Sequence, residues 1–454
     1  MIKMQVKNNQ RSKKMKVSRR DFLGTATTVL AAGSIVSGRV WGANERIRLC
    51  VIGCNGRGNE HIEGFSKCEG AEVVAICDVD ERVRNRVSGK MEREYNRKPK
   101  IYTDLREAIQ DPEIDAVSIA TPHHWHALAA IWAAQAGKHV YVEKPASHNL
   151  FEGQQLVAAA QKYNLIIMHG TQSRSSGKWL RDIPLLQSGA IIGKLYMARA
   201  LGYKNGNRGS IGNKPDEAVP EYLNWELWQG PAERGAYNPM YHPYNWHWFW
   251  RYGNGEIGNQ GIHQMDIAVW GLNKGFPVKV NSDGGRYTYQ DAGETPNTNV
   301  ATFKYDDGTM LVFEVRNRWT NDEGGRMIGD KFFEGVSVGN LFYGEKGYYV
   351  EGQGFFDEKN RPITVSDAEY PVPETRGCWQ NFIDAVRSND AKKNFADMKA
   401  AHLAASHAHL ANISYRLGRS LTFDPKSEQF VDAPDANALL TRAYAPGFEV
   451  PSIS

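Results

Sequence analysis

Between residues 46 and 170 the sequence alternates short, almost wholly apolar runs with longer segments of helical period. Strands that are apolar throughout and are separated by amphipathic helices are typical of a parallel sheet with helices on both faces. This pattern predicts an α/β fold whose N-terminal part is a doubly wound parallel sheet. The predicted strands are Ile47–Gly53, Glu72–Cys77, Lys100–Tyr102, Ala116–Ala120, His139–Val142 and Leu165–His169.

The pattern changes after residue 170. A helix around Lys178–Ser188 is followed by runs that alternate apolar and polar residues and are joined by turns such as Asp306-Asp307-Gly308. Such strands favour a mainly antiparallel sheet, here within an α+β domain that ends in two helices. We therefore divide the chain into a leader (1–43), a parallel-sheet domain (44–170), an α+β domain with a large, mainly antiparallel sheet (171–424) and an irregular tail (425–454).

The leader has the features of an export signal. Residues 18–24 read Ser-Arg-Arg-Asp-Phe-Leu-Gly and precede a stretch of small and apolar residues. A basic segment followed by a short apolar segment describes a secretion signal, and the Arg pair followed by Phe-Leu resembles the twin-arginine signal. The sequence therefore predicts a periplasmic protein that folds, with any cofactor inside, before it is exported.

Removing the leader reverses the sign of the net charge. The whole chain carries +4, but residues 1–43 hold nine Lys and Arg against one acidic residue, so the remainder carries −4. A mildly acidic protein lacks the electrostatic footprint of nucleic-acid binding. After residue 43 no apolar run reaches the roughly 18 residues that cross a bilayer, so we expect no stable membrane span.

The first predicted strand ends in Gly53-Cys54-Asn55-Gly56-Arg57-Gly58, a cluster that opens a helix. Glycines there let backbone N–H groups approach a pyrophosphate at the helix N-terminus. A dinucleotide fingerprint has a glycine at the position of Asn55, but Asn tolerates unusual backbone angles better than most residues. Asp78 ends the second strand, where a carboxylate accepts hydrogen bonds from ribose hydroxyls and repels a 2′-phosphate. These features predict a site that favours NAD over NADP without excluding NADP.

Two further motifs follow carboxyl ends of parallel strands, where open α/β sheets bind their ligands. They are Thr121-Pro122-His123-His124-Trp125-His126 and Glu143-Lys144-Pro145. Three histidines within four residues suggest zinc, but on a strand-to-helix turn they point in different directions, and no Cys or carboxylate stands at ligand spacing. We expect no metal here.

Taken together, these motifs resemble the glucose–fructose oxidoreductase/inositol dehydrogenase (Gfo/Idh/MocA) family. The resemblance rests on the modified glycine cluster, on Ala120-Thr121-Pro122 with His126, on the run from Ala136 to Pro145, on Ile192-Gly193-Lys194 and on the run from Gly258 to Asp266. It covers Arg46 to about Asp424 and implies a Rossmann domain at the N-terminus. The residues that it implies for cofactor binding are Gly53, Asn55, Gly56, Arg57, Gly58, Asp78, Thr121, Pro122, His126, Glu143 and Lys144.

The resemblance also implies catalytic roles. Lys144 would lie beside the nicotinamide and the reacting hydroxyl, and His263 would be the general base, because imidazole has an unperturbed pKa near operating pH. The family commonly has Asp four residues before this histidine, whereas this chain has Asn259. Asn forms hydrogen bonds but cannot carry a proton away. More of the acid–base work therefore falls on Lys144 and His263.

The resulting hypothesis is an exported oxidoreductase that transfers hydride between NAD and a carbohydrate or polyol. Because the periplasm offers no dependable NAD pool, we expect a tightly bound cofactor. Two alternatives stay open: a redox-neutral, NAD-dependent glycosidase that acts through a transient keto-sugar, which exported members of the family include, and a non-catalytic NAD-binding sensor. The Glu-Lys-Pro motif favours the oxidoreductase.

Two features bear on the surroundings of the site. The aromatic-rich segment 222–252 suits a pocket wall, a core or a subunit contact. The broad face that a large sheet leaves uncovered, taken with the family resemblance, predicts a homodimer or homotetramer.

Overall fold

The computed structural model describes residues 45–204, 209–318, 322–323, 325–328 and 331–453. The predicted export signal, residues 1–43, lies outside this part of the chain. Within the described ranges, no helix is both long enough and apolar enough to cross a membrane.

The N-terminal domain contains a six-stranded sheet. Its strands are β1 (Ile47–Ile52), β2 (Ala71–Cys77), β3 (Lys100–Tyr102), β4 (Ala116–Ile119), β5 (His139–Glu143) and β6 (Ile167–Gly170). They lie in the order β3-β2-β1-β4-β5-β6, and every neighbouring pair is parallel. The strand order reverses between β1 and β4, which opens a crevice at their carboxyl ends. The predicted Rossmann sheet is confirmed.

Helices connect these strands: α1 (Arg57–Ser66), α2 (Glu81–Tyr95), α3 (Leu105–Gln110), α4 (His123–Gln135) and α5 (Leu150–Tyr163). The side chains of Asp80, Asp104 and Asn149 cap α2, α3 and α5 by accepting hydrogen bonds from backbone N–H groups of the first turn. Helix α4 begins at His123, directly after Pro122, which occupies its N-cap in an extended conformation (ψ 156°). The three histidines therefore lie in the first turn of a helix.

The second domain is built on a large sheet. The strands that follow β6 are β7 (Leu195–Tyr203), β8 (Lys279–Gly285), β9 (Thr298–Lys304), β10 (Met310–Arg316), β11 (Arg326–Ile328), β12 (Lys331–Phe333), β13 (Val338–Gly344), β14 (Gly347–Val350), β15 (Gly354–Asp357), β16 (Pro362–Ile363), β17 (Leu421–Asp424) and β18 (Gln429–Phe430). Ten of them form one sheet of order β16-β15-β14-β13-β7-β10-β9-β8-β17-β18, and β11 pairs with β12 separately. Only β7 and β10 are parallel neighbours among these described strands. The expected mainly antiparallel sheet is confirmed.

Helices cover one face of the large sheet. The helices of this domain are α6 (Gly177–Ser188), α7 (Trp225–Gln229), α8 (Ile262–Leu272), α9 (Gly377–Ser388), α10 (Met398–Leu417) and α11 (Pro434–Asn437). Helices α6, α8 and α10 pack on the sheet through an apolar cluster that includes Phe303, Phe313 and Phe342. This layer fixes the position of α8, which carries His263.

Two C-terminal segments return to the N-terminal domain. Phe382 of α9 packs with Phe65 and the other apolar side chains on one face of the parallel sheet. The segment predicted to be an irregular tail, 425–454, contains β18 and α11 and then brings Phe448 into the core on the other face. Arg442 of this segment forms an ion pair of 3.0 Å with the buried Glu152 of α5. Both faces of the Rossmann sheet are thus partly covered by residues from the end of the chain.

Candidate active site

The glycine cluster between β1 and α1 is shaped by close packing. Gly53 has a φ of +81°, and a Cβ there would lie 2.8 Å from the backbone nitrogen of Thr121; a Cβ on Gly58 would lie 1.9 Å from the carbonyl oxygen of Gly53. Gly56 has a φ of +42°, but a Cβ there would meet no described atom within 4 Å. The loop therefore exposes its backbone at Gly56, where a ligand can approach. Asn55 was expected to take the unusual backbone angle, but Gly56 takes it instead.

Asp78 follows β2 at the edge of this loop. Its Oδ2 accepts a hydrogen bond from the backbone N–H of Cys54 (2.7 Å), and its Oδ1 accepts one from that of Asp80 (3.0 Å). Burial raises the pKa of this carboxyl, and the two N–H groups oppose that shift. Each oxygen keeps a second lone pair for a hydroxyl donor. The predicted ribose-binding residue thus also holds the glycine loop in place.

A cleft of about 1040 Å³, including its open mouth, runs along the carboxyl edge of the parallel sheet. The N-terminal domain contributes the glycine loop, Asp78 and residues 120–122 to its lining. The opposite wall comes from the aromatic-rich segment and consists of Leu227, Trp228, His242, Pro243, Tyr244 and Trp246. Behind this wall Trp225 stacks on Trp228 at 4.7 Å between ring centroids. The segment is therefore both a wall of the cleft and a small core.

Several contacts attach this aromatic wall to the turn after β2. The backbone N–H of Glu81 donates to the carbonyl oxygen of Tyr222 (2.9 Å), and Asp80 forms an antiparallel bridge with Leu223. The guanidinium of Arg82 lies 3.3 Å from the centroid of the Tyr222 ring. The two domains thus enclose the cleft from opposite sides.

Thr121 and Pro122 line the cleft, whereas His126 is not part of its described lining. The ring nitrogens of His126 lie 2.7 Å from the carbonyl oxygen of Pro145 and 2.8 Å from that of Thr121. Burial lowers the pKa of this ring, and a neutral imidazole donates to only one carbonyl at a time. His126 therefore joins the loops after β4 and β5. The Oγ1 of Thr121 is buried and has no hydrogen-bond partner among the described residues.

Glu143 ends β5 and is buried beside the loop. Its Oε1 accepts hydrogen bonds from Arg57 Nε (2.8 Å) and Gln172 Nε2 (3.3 Å) and lies 3.2 Å from His61 Nε2. Burial alone would raise the pKa of Glu143, but His61 and Arg57 hold it well below its usual range. Its Oε2 accepts from the backbone N–H of Lys144 (3.1 Å). Glu143 thus connects Arg57, which lines the cleft, to the residue expected to react.

The side chain of Lys144 reaches the second domain. Its Nζ donates to the backbone oxygen (2.7 Å) and to the Oδ1 (3.0 Å) of Asn259. Asn259 lies in a π-helical turn, Ile257–Gly261, that runs directly into α8. Such turns are rare and occur frequently at functional sites. The structure thus brings Lys144 and Asn259 together, with the amide oxygen of Asn259 facing the ammonium group.

His263 lies in the first turn of α8, four residues after Asn259. Burial lowers its pKa to about 3, and the positive charge of Lys144 contributes to the shift. Burial and the neighbouring cation thus shift the pKa of this ring far below the unperturbed value on which its predicted role was based. At neutral pH the ring is therefore unprotonated. Helix α8 is anchored by Asp266, whose carboxylate accepts two hydrogen bonds of 2.8 Å from Arg174.

Two histidines near Lys144 were not predicted as site residues. His61 bonds to Glu143, a contact that joins α1 to β5 and has no local sequence signal. His169 stands in β6 in register with Val142 of β5, and its buried Nε2 has no hydrogen-bond partner in the described part of the chain. Burial lowers the pKa of His169 to about 3. Its place at the carboxyl end of a parallel strand was the signal that could have identified it.

Two family models cover most of the described chain. Residues 47–171 match the oxidoreductase family, NAD-binding Rossmann fold (GFO_IDH_MocA). Residues 194–450 match the C-terminal alpha/beta domain of the oxidoreductase family. The chain belongs to the Gfo/Idh/MocA family. The resemblance found in the motifs is thereby confirmed, and the first model describes the NAD-binding Rossmann fold of an oxidoreductase family.

Curated relatives match a limited part of the chain. Glycosyl hydrolase family 109 protein 1 from Shewanella sp. (strain ANA-3) is 38% identical over 134 residues, which is 29% of this chain and 29% of that protein. An alpha-N-acetylgalactosaminidase from Shewanella oneidensis is 36% identical over 136 residues, 29% of this chain and 30% of that protein. The chain thus matches less than a third of the length of these two relatives.

Solved structures of the same fold include several dehydrogenases. The WlbA dehydrogenase from Chromobacterium violaceum, in complex with NADH and UDP-GlcNAcA, has a TM-score of 0.62 at 19% identity and covers 86% of this chain and 99% of its own. Apo scyllo-inositol dehydrogenase from Lactobacillus casei has a TM-score of 0.59 at 16% identity, with coverages of 84% and 99%. Aldose-aldose oxidoreductase from Caulobacter crescentus, complexed with glycerol, gives 0.59 at 16%, with coverages of 84% and 100%. At these identities the likeness establishes the fold.

The cleft has the features that the NAD of this family requires. The backbone at Gly56 faces open space at the N-terminus of α1, which suits a pyrophosphate. The carboxylate of Asp78 suits ribose hydroxyls, and the unpartnered Oγ1 of Thr121 offers a further hydrogen-bonding group. These three residues, with Arg57, are the described groups best placed to hold the dinucleotide.

Proposed function

We propose that this protein is an exported oxidoreductase that transfers hydride between a retained NAD(H) and a hydroxyl or carbonyl group of a carbohydrate or polyol. The observation that carries the proposal is the pair of hydrogen bonds from Lys144 Nζ to Asn259. They bring the lysine that follows β5 to the turn that leads into the helix of His263. Glu143 and Arg57 connect this point to the dinucleotide cleft. Dehydrogenases of sugar derivatives and of inositol share the fold.

Bound NAD supplies a hydride acceptor or donor at its nicotinamide ring. In the oxidative direction neutral His263 accepts the proton of the substrate hydroxyl, and the ammonium of Lys144 stabilises the negative charge that develops on that oxygen. Asn259 holds the ammonium of Lys144 in place by accepting hydrogen bonds at its backbone oxygen and at its Oδ1. It does not take up the proton, because an amide has no suitable basic site.

Retention of the cofactor is supported by the aromatic wall. The glycine loop on one side of the cleft and Trp228, Tyr244 and Trp246 on the other would hold a dinucleotide between them. The wall is tied to the turn after β2 through Tyr222 and Leu223. A wall that is held in place in this way would keep its contacts with the dinucleotide, which favours slow dissociation. A retained cofactor suits a compartment without an NAD pool.

Retention is tested by gel filtration of the purified protein, followed by denaturation and mass spectrometry of the released small molecules. We expect about one NAD(H) per chain. Trp246→Ala should lose the cofactor on the column, whereas Trp250→Ala, in the same segment but outside the described lining of the cleft, should keep it. Cofactor-free wild-type protein that works only with added NAD would refute retention.

The catalytic role is tested by mixing the cofactor-loaded protein with a panel of sugars and polyols and recording the absorbance of bound NADH. Lys144→Met should keep NAD and lower the rate of reduction by about 10²–10⁴-fold. Lys67→Met, which removes a side chain that is 70% exposed, is the control and should react as the wild type does. Unchanged reduction in Lys144→Met, or none in the wild type with any compound, would contradict the proposal; the latter result would favour a non-catalytic sensor.

A second candidate is a redox-neutral glycosidase, which the names of the curated relatives favour. Oxidation of a ring hydroxyl to a ketone acidifies the neighbouring C–H. A base removes that proton, the glycosidic C–O bond breaks, and the leaving oxygen takes up a proton. Water then adds, and the ketone is reduced again by the hydride removed in the first step, so NAD is regenerated. Release of nitrophenol from para-nitrophenyl glycosides without net NADH formation would establish this reaction in place of the first.

Export and oligomerisation complete the proposal. The export proposal rests on Arg19-Arg20 and the apolar stretch that follows. Replacing both arginines by Lys should leave the protein in the cytoplasm.

A homodimer or homotetramer is supported by exposed apolar side chains on the large sheet, namely Tyr196, Val300, Met310 and Val338. Light scattering of the purified protein measures the oligomer directly, and a monomer would contradict this part.

A further inference from the structure

The carboxyl ends of β7 and β10 form a floor below the π-helical turn. The two strands are parallel, with Arg316 in register with Tyr203, and the ladder continues as the N–H of Lys204 donates to the carbonyl oxygen of Arg316 (2.8 Å). The next residue after Arg316 is Asn317. The strand register therefore places Asn317 beside Lys204.

This floor contacts the turn that holds the catalytic lysine. A Cβ on Gly202 would lie 3.8 Å from Cγ of Gln260, so the side chain of Gln260 lies directly over the end of β7. The Nζ of Lys204 lies 3.1 Å from Oε1 of Glu256, the residue that precedes the turn. The end of β7 thus packs directly against the π-helical turn and the residue before it.

Asn317 differs from the other asparagines of this sheet. It is fully buried, yet neither its Nδ2 nor its Oδ1 has a hydrogen-bond partner among the described residues. By contrast, the amide of Asn297 bonds to the backbone of Tyr287 through both atoms, and the Nδ2 of Asn340 donates to the carbonyl oxygen of Gln264. A buried amide without partners is costly, and such groups in native proteins generally meet water or a ligand.

We propose that Asn317 is a specificity-determining residue that binds two neighbouring hydroxyls of an uncharged sugar. Its Nδ2 donates to one hydroxyl oxygen, and its Oδ1 accepts from the other hydroxyl. The inference rests on the proposed function and names the substrate class of that site. The substrate is uncharged because Lys204 is already balanced by Glu256, and their side chains are only 14% and 0% exposed. A sugar acid would bring an unmatched charge to this floor.

The test is Asn317→Leu, which removes both polar atoms and keeps the number and branching of the side-chain heavy atoms. With D-glucose, D-galactose and their monodeoxy derivatives, we expect KM of the preferred sugar to rise about 10–100-fold, since each tenfold loss corresponds to about 1.4 kcal/mol. The wild type should discriminate against the derivatives that lack either bound hydroxyl, and Asn317→Leu should not. The amount of NAD retained should stay unchanged.

Melting temperatures distinguish the proposed substrate-binding role of Asn317 from a purely structural one. If Asn317 binds substrate, its replacement should not destabilise the protein. The melting temperature of Asn317→Leu should equal or exceed that of the wild type, because an unsatisfied buried amide has been replaced by an apolar group. Asn340→Leu, which removes a satisfied amide, is the control and should melt lower. A lower melting temperature with an unchanged KM in Asn317→Leu would overturn the inference.

Failure of the subsite and failure of the proposed function give different results. If the wild type retains NAD but reduces none of it, sugar binding is measured by the rise in melting temperature. A rise in the wild type that is absent in Asn317→Leu supports the subsite without the redox reaction. No rise in the wild type with any of these sugars overturns the subsite. If the wild type and Asn317→Leu both reduce NAD with the same KM for the sugar, the subsite is overturned and the proposed function stands.

Discussion

Replacing Glu143 by Gln should destabilise the protein and disorder the contacts among Arg57, His61 and Lys144 at the end of β5. The Oε1 of Glu143 faces donors from Arg57, Gln172 and His61, and its Oε2 faces the backbone N–H of Lys144. An amide in place of the carboxylate turns one of these acceptors into a donor. At least one neighbouring donor then loses its partner, and Arg57 loses a buried countercharge.

The magnitude follows from the burial of the pair. Breaking a buried ion pair by removing one partner costs about 3–5 kcal/mol. The side chain of Arg57 is 32% exposed and also pairs with Glu60, so solvent and the second carboxylate compensate part of the loss. We therefore expect the free energy of unfolding at pH 7 to fall by roughly 2–4 kcal/mol.

The unfolding free energy lost in Glu143→Gln should be larger at neutral pH than at acidic pH. The pKa of Glu143 in the folded protein is well below its usual range, whereas in the unfolded chain it is near 4.3. Its stabilising effect is therefore complete above about pH 5 and disappears as the pH falls through the folded-state pKa. The difference between wild type and Glu143→Gln should be largest at pH 7 and should shrink below about pH 4.

Urea unfolding followed by circular dichroism at pH 7 and at lower pH measures this difference. Glu60→Gln is the matched control, because it removes the 62% exposed partner of the same arginine; it should cost less than about 1 kcal/mol. A loss in Glu143→Gln that does not change with pH, or one no larger than that of the control, would refute the assignment of Glu143 as the charged centre of this edge.

Three further predictions concern helix α8 and the glycine loop. His263→Asn should lower kcat by about 10²–10⁴-fold. Because the pKa of His263 is about 3, wild-type kcat/KM should not decline through protonation of this ring between pH 7 and pH 5; a decline that is absent from His263→Asn would contradict this. Asp266→Asn leaves the guanidinium of Arg174, 9% exposed, without its charge partner and should lower the unfolding free energy by about 3–5 kcal/mol, whereas Asp367→Asn, at a carboxylate that is 79% exposed, should change it by less than about 1 kcal/mol. Gly58→Ala places a Cβ 1.9 Å from a loop carbonyl oxygen, so the purified protein should have lost its NAD and should melt lower; full retention of NAD would show that the loop is not the binding surface.

Much of the N-terminal domain was predictable because its signals are local. The apolar strand Ile47–Ile52 and the glycines after it need only their own neighbours in sequence to indicate a strand, a tight turn and a helix. The same holds for Asp78, whose position at the end of the next strand follows from the alternation of elements. The positions of Thr121 and Lys144 follow in the same way from the rule that parallel strands present their carboxyl ends to ligands.

The arrangement of the site was harder to predict from the sequence, because it depends on contacts between distant segments. The hydrogen bonds from Lys144 to Asn259 join residues 115 positions apart, and only the family resemblance related them. His126 was expected at the cofactor, but its ring lies between two loop carbonyl oxygens, to one of which it donates, and is not part of the described lining of the cleft. The sequence does not show whether a histidine at this position contacts the cofactor or joins two loops. The position of the loop after β5, which contains Pro145, decides between the two roles.

The sequence by itself determined the order of strands and helices in the N-terminal domain, the chemistry available at each of its strand ends and the family, because backbone propensities and side-chain types are local properties. Tertiary structure alone decided the protonation state of His263, the aromatic wall of the cleft and the unpartnered amide of Asn317. Each of these depends on how much water is excluded and on which distant groups replace it. Solvent exclusion is a property of the packed chain and cannot be assigned to any single segment.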